Sequence, residues 1–102
     1  MNTLTLPKSI RLVEVGMRDG LQAVSEPIET AVKIEIIEGL IESGVRTIEA
    51  VSFAHPKVLP QLADAEAVMA AVPRDPRITY RGLVPNFRGA QRAVECDLNE
   101  WV

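Results

Sequence analysis

Short β-branched runs alternate along this chain with longer stretches of helical spacing. "IRLVEV" (10–15), "RTIEAV" (46–51) and "ITYRGLV" (78–84) are each bounded by Gly or Pro and read as strands. Between the first two, "ETAVKIEIIEGLIESG" (29–44) repeats Val32, Ile36 and Leu40 at four-residue spacing beside Ile37 and Ile41, with Glu35, Glu38 and Glu42 on the other side. That spacing predicts an amphipathic helix, and Gly44 suits the left-handed position just past its end. A second helix is expected from Pro60 to Val72. Leu62, Ala65, Val68, Met69 and Val72 form its stripe, Pro60 is tolerated in its first turn, and Pro73 and Pro76 close it. A third opens at Asn86, a good N-cap, and runs through Phe87, Ala90 and Val94. "NEWV" (99–102) then reads as the opening of a fourth strand, cut short by the end of the chain.

Strand and helix in alternation imply parallel strands joined by right-handed crossovers. Two architectures fit: an open doubly wound sheet and a (β/α)8 barrel. A complete barrel takes eight units and about 250 residues. At 102 residues the chain supplies about three to four βα units, so the expectation is one domain spanning residues 1–102, either a small open sheet or a truncated piece of a larger fold. Such a sheet would leave an apolar face uncovered, which leads us to expect a homo-oligomer.

Composition narrows the classes. With 47% hydrophobic and 25% charged residues the chain is a soluble globular type, and only four aromatics (Phe53, Tyr80, Phe87, Trp101) leave the core to Val, Ile, Leu and Ala. The net charge of −3 is spread without blocks, which argues against a nucleic-acid partner. No stretch approaches the ~18 apolar residues of a membrane span, and "MNTLTLPKSI" has no targeting pattern, so neither a membrane partner nor any address but the cytoplasm is expected. Cys96 and His55 each stand alone, which excludes an intrachain disulfide and a self-contained Cys/His zinc site of about four ligands.

The anomalies are charges inside strands. Glu14 and Glu49 interrupt apolar runs, and Arg18 with Asp19 follow the first strand closely. An unpaired carboxylate buried in a sheet costs several kcal/mol, so each must be paired, hydrated or bound to something. The plainer reading is an internal salt bridge such as Glu49 with Arg18. The functional reading starts from position: ligands in both architectures sit beyond the carboxyl ends of the strands, where Arg18, Asp19, Ser52 and Asn86 fall. An Asp there can bind a hard divalent cation, and an Arg can hold an oxyanion with its planar fork of donors. "RDG" alone is weak, since it is also a common turn tripeptide.

With its neighbours the stretch says more. "VEVGMRDGLQ" (13–22) closely resembles the opening strand and loop of 3-hydroxy-3-methylglutaryl-CoA lyases, which belong to a metal-dependent lyase and synthase superfamily of TIM barrels. "GVRTIEAVSFAHPKVLPQLAD" (44–64) is similar to that family's second strand and following loop, with Glu, Ser-Phe, Pro-Lys and Pro-Gln in the same order, and "GLVPNFRGAQRAV" (82–94) is similar to its third strand and helix. The resemblance implies a partial TIM barrel and a carbon–carbon lyase acting on an acyl-CoA substrate in leucine degradation and ketone-body formation. It further implies Asp19 as a ligand for Mg²⁺ or Mn²⁺ and Arg18 as the group that stabilises the enolate. Glu49 would orient Arg18 and the substrate, while Gln22, Ser52 and Glu14 would line the pocket.

The family's remaining metal ligands, a His-x-His pair and an Asn, have no counterpart here, and neither does its lid cysteine. His55 is read as an ordinary loop histidine, and Cys96 receives no proton-donor role. One carboxylate is not a metal site, so the isolated chain is expected to be inactive or very weak. Two other readings stay open: a superfamily synthase that condenses acyl-CoA, and a non-catalytic partial-barrel module that associates through its open edge.

Overall fold

The computed structural model describes residues 4–102. Three parallel strands, β1 (Thr47–Ser52), β2 (Thr79–Leu83) and β3 (Glu100–Trp101), form an open sheet in that order. Helix α1 (Thr30–Glu42) leads into β1, α2 (Ala65–Ala71) joins β1 to β2, and α3 (Phe87–Ala93) joins β2 to β3. Thr47 lies opposite Thr79, Glu49 opposite Arg81, and Arg81 opposite Glu100, with an irregularity between Glu49 and Val51. The expected α/β class with parallel strands is therefore observed.

The core lies between the sheet and its helices. Ile37, Ile48, Phe53, Val68, Met69 and Tyr80 are all within 2% of complete burial. Every residue of β1 is buried, whereas β2 alternates, with Tyr80 and Gly82 under the helices and Thr79, Arg81 and Leu83 half-buried on the opposite face. That opposite face holds Glu49, Arg81 and Glu100 in contact, so a charged row stands where an apolar surface was expected. Gly82 is required where it stands: a Cβ there would come within 3.0 Å of the Phe53 ring and closer still to Leu98.

Three details depart from the sequence reading. Residues 10–15 do not make a strand of their own. Only Glu14 pairs, its N–H donating to the Thr47 carbonyl and its carbonyl accepting from Glu49 N–H, both at 2.9 Å. Glu14 lies opposite Ile48, so the described residues upstream of it run past the start of β1 and make no backbone hydrogen bond to it; Ile10 and Leu12 are left exposed. The Pro60–Val72 helix is split into a tight turn at Pro60–Leu62 and α2, although its five apolar residues are all buried as expected. Finally, α1 is rotated relative to its expected stripe. Val32 and Ile36 are about 40% exposed, while Ile37 and, unexpectedly, Lys33 face inward.

Local rules hold elsewhere. Gly44 ends α1 at φ 105°, and the Asn86 side chain caps α3 by accepting from Gly89 N–H at 2.8 Å. Among the described residues no helix is long and apolar enough to cross a membrane.

Candidate active site

The chain leaves its contact with β1 through one wide turn, Gly16–Gly20, in which the Val15 carbonyl collects the N–H groups of Arg18, Asp19 and Gly20. Met17 inserts into the core and anchors this turn. The next two side chains are thereby sent to different places: Arg18 lies back over β1, and Asp19 is directed to solvent with 68% of its side chain exposed.

Arg18 Nε donates to Glu49 Oε2 at 2.7 Å. Its Nη1 reaches Gln22 Oε1 at 3.4 Å and lies 3.5 Å from Asp19 Oδ1, so both of those contacts are loose. Nη2 makes no hydrogen bond to protein among the described residues. The plainer reading of Glu49 is thus correct as far as it goes: it is ion-paired with Arg18. The pairing spends one edge of the guanidinium and leaves the outer N–H groups at the carboxyl end of β1, where a planar fork can still meet an oxyanion.

Glu49 is almost wholly buried, and its other oxygen, Oε1, lies 3.8 Å from Arg81 Nε. A carboxylate this deep needs such partners to offset its lost hydration. Arg81 Nε, itself buried, makes no hydrogen bond and sits between Glu49 and Glu100, 3.7 Å from the latter. Arg11 closes the row with two hydrogen bonds to Glu100, at 2.9 and 3.1 Å. The Arg11 hydrogen bond holds the Glu100 carboxyl below its ordinary range and raises Arg11 in turn. Arg18, Glu49, Arg81, Glu100 and Arg11 are therefore one alternating chain of charges across the uncovered face.

The remaining expected residues are placed as follows. Gln22 belongs with Arg18. Glu14 turns back on its own loop, its Oε1 accepting from Gly16 N–H at 2.8 Å. Ser52 is completely buried and its hydroxyl accepts from Ala54 N–H at 3.2 Å. Asn86 is committed to capping α3. His55 is exposed in the loop after β1, with Nδ1 accepting from Lys57 N–H, and lines a cleft of about 240 Å³ with Phe53, Arg88 and Arg92. Cys96 lies in the core, where burial raises its thiol pKa.

Among the described residues no group of three or more His, Cys, Asp or Glu could hold a metal ion. Asp19 offers a hard, exposed carboxylate that is only loosely held by Arg18, which suits one oxygen ligand of Mg²⁺ or Mn²⁺ and no more. Arg81 went unrecognised in the sequence although its signal was available: it interrupts "ITYRGLV" as Glu49 interrupts "RTIEAV".

Parallel strands joined through helices, with the Arg18–Asp19 turn leading out of the contact with β1, define this as an α/β fold of repeated βα units. The family model HMGL-like matches residues 9–100, and the chain belongs to that family. It is 46% identical over 96 residues to the mitochondrial hydroxymethylglutaryl-CoA lyase of Macaca fascicularis, covering 94% of this chain and 30% of that protein. It superposes on the hydroxymethylglutaryl-CoA lyase structure from Pseudomonas aeruginosa with a TM-score of 0.88 at 45% identity, over 94% of this chain and 32% of that one. It also superposes on an HMG-CoA lyase from Acinetobacter baumannii in complex with coenzyme A and 3-methylmalate, with a TM-score of 0.85 at 44% identity, over 89% of this chain and 30% of that one. The chain thus spans about a third of the length of the relatives it matches.

Proposed function

We propose that this chain forms the first βα units of a carbon–carbon lyase barrel and supplies part of the site that cleaves 3-hydroxy-3-methylglutaryl-CoA to acetyl-CoA and acetoacetate. The observation that carries the reading is the Arg18 guanidinium, fixed through Nε by Glu49 and only loosely held on its outer edge, beside the exposed carboxylate of Asp19.

In this cleavage the C3 hydroxyl loses its proton and the C2–C3 bond breaks. Its electron pair moves onto the departing acetyl-CoA as an enolate, and the former carbinol carbon becomes the ketone of acetoacetate. A proton then adds at C2. Arg18 would donate to the thioester oxygen as that oxygen gains charge, a role worth about 10²–10³ in rate for one preorganised donor. Glu49 holds the guanidinium in place, and Gln22 borders it from the loop. Asp19 would serve as one ligand of a divalent cation, Mg²⁺ or Mn²⁺, which when bound supplies Lewis-acid polarisation of the hydroxyl and of the free carboxylate. Ser52 and Glu14 spend their side chains on neighbouring backbone N–H groups, so their contribution to a substrate pocket would be to shape its loops.

The test is a chimera in which residues 9–100 replace the matching segment of the Pseudomonas aeruginosa lyase. It is expected to release acetoacetate from 3-hydroxy-3-methylglutaryl-CoA in the presence of Mg²⁺. A folded, Mn²⁺-binding chimera that leaves the thioester intact refutes the reading.

A further inference from the structure

Lys33 is the least expected buried residue in the molecule. It occupies the inner face of α1 one turn before Ile37, and its side chain is 3% exposed. An ammonium so placed needs acceptors, and it has two: Asp64 Oδ1 at 2.6 Å and the Gln61 carbonyl at 2.7 Å. Thr30 Oγ1 donates to the other Asp64 oxygen, also at 2.6 Å. These contacts bolt the first turn of α1 to the short turn that precedes α2.

Gln61 is engaged at both ends. While its main-chain carbonyl accepts a hydrogen bond from Lys33 Nζ, its side-chain Nε2 donates at 2.6 Å to the main-chain carbonyl of Gln22. Gln22 is the residue whose side chain borders Arg18 Nη1. Among the described residues, the segment between the Gly16–Gly20 turn and α1 has few other anchors near this point: the packing of Leu21 against the core and the short turn bonds of Ala23 N–H to Gly20 O and Val24 N–H to Leu21 O.

We infer that Gln61, seated by Lys33 and Asp64, is a positioning residue that fixes the Gln22 segment and thereby the second wall of the Arg18 guanidinium. Glu49 sets the Arg18 side chain from the sheet, and Gln61 sets its loop neighbour from the α1–α2 junction. Without the tether the loop loses its hold beyond Leu21, which packs against the core, although the turn itself and the Arg18–Glu49 pair remain. The functional consequence rests on the lyase reading above, whereas the tether itself does not.

The experiment is amide hydrogen exchange on the full 102-residue chain, comparing the native sequence with Gln61→Met and Gln61→Lys. Gln61→Met preserves side-chain length and the carbonyl that accepts from Lys33 but removes the donor. It is expected to speed exchange of the Ala23 and Val24 amides about tenfold, roughly the equilibrium worth of one hydrogen bond, while the Ile37 and Tyr80 amides keep their rates. Gln61→Lys returns a donor and is expected to restore slow exchange. Unchanged Ala23 and Val24 rates in Gln61→Met overturn the inference. So does equal acceleration of the Ile37 and Tyr80 amides, because Gln61 would then serve only general stability. In the chimera Gln61→Met is expected to lower kcat severalfold at unchanged Mn²⁺ affinity; loss of the tether without loss of kcat retains the local structure and removes its catalytic role. A chimera inactive before any substitution speaks against the lyase reading, and the exchange result stands apart from it.

Discussion

Glu49 and Lys33 are both charged, both 3% exposed, and both placed where an apolar residue would pack, yet they sit at opposite ends of one piece of machinery. Glu49 lies in a strand, faces the uncovered side of the sheet and is shared between two guanidinium groups. Lys33 lies in a helix, faces the interior and is met by one carboxylate and one carbonyl. The first sets the Arg18 side chain and the second reaches the loop beside it. The difference is one of consequence: removing Glu49 leaves Arg18 and Arg81 with only the looser carboxylates of Asp19, at 3.5 Å, and Glu100, at 3.7 Å, whereas removing Lys33 leaves a half-buried Asp64 that still has Thr30.

The two should therefore separate in energy. Glu49→Leu is expected to cost about 3 kcal/mol, read from the urea unfolding midpoint, because breaking a buried ionic network leaves charges uncompensated. Lys33→Met is expected to cost about 2 kcal/mol and to accelerate Ala23 and Val24 exchange as Gln61→Met does. Equal costs, or a larger one for Lys33→Met, would break the contrast.

The sequence revealed one member of this pair and hid the other. A Glu inside "RTIEAV" stands out because a strand of six residues has few positions, and each apolar neighbour marks it as misplaced. Lys33 sits among Glu35, Glu38 and Glu42, where a lysine looks like part of a solvated face; only the partner on α2's approach turn, about thirty residues away, turns it inward. The same event rotates α1, which explains why the Val32 and Ile36 stripe is half exposed. Strand pairing of "IRLVEV" failed for a different reason, since local β propensity says nothing about where the partner strand begins. Caps and turns such as Asn86 and Gly44 were legible because their determinants are local.

Two smaller effects sharpen the contrast with the surface. Gly44→Ala is expected to cost about 1 kcal/mol, from the positive φ alone, since a Cβ there meets open space. Surface pairs should appear only in acid. Glu66 is held below its ordinary 4.5 chiefly by its hydrogen bond to Arg92, Glu100 likewise by Arg11, and Asp75 is lowered to about 2 by Arg77. Each folded value lies below the unfolded one, so the stabilisation is complete above the unfolded values and is lost as pH falls through the folded ones. Thermal midpoints should therefore be insensitive to these groups above about pH 5 and should decline from there toward about pH 2. Arg92→Met should return the Glu66 carboxyl titration, followed by NMR, to near 4.5, and an unmoved midpoint would show that the hydrogen bond does not set it.

The central claim is that Arg18 meets developing negative charge while Glu49 holds it in place. Its most direct test is Arg18→Gln in the lyase chimera, measured as kcat for thioester cleavage alongside Mn²⁺ affinity. A loss of about 10²–10³ in kcat with metal affinity unchanged is the expected result; turnover near that of the parent chimera would contradict the assignment.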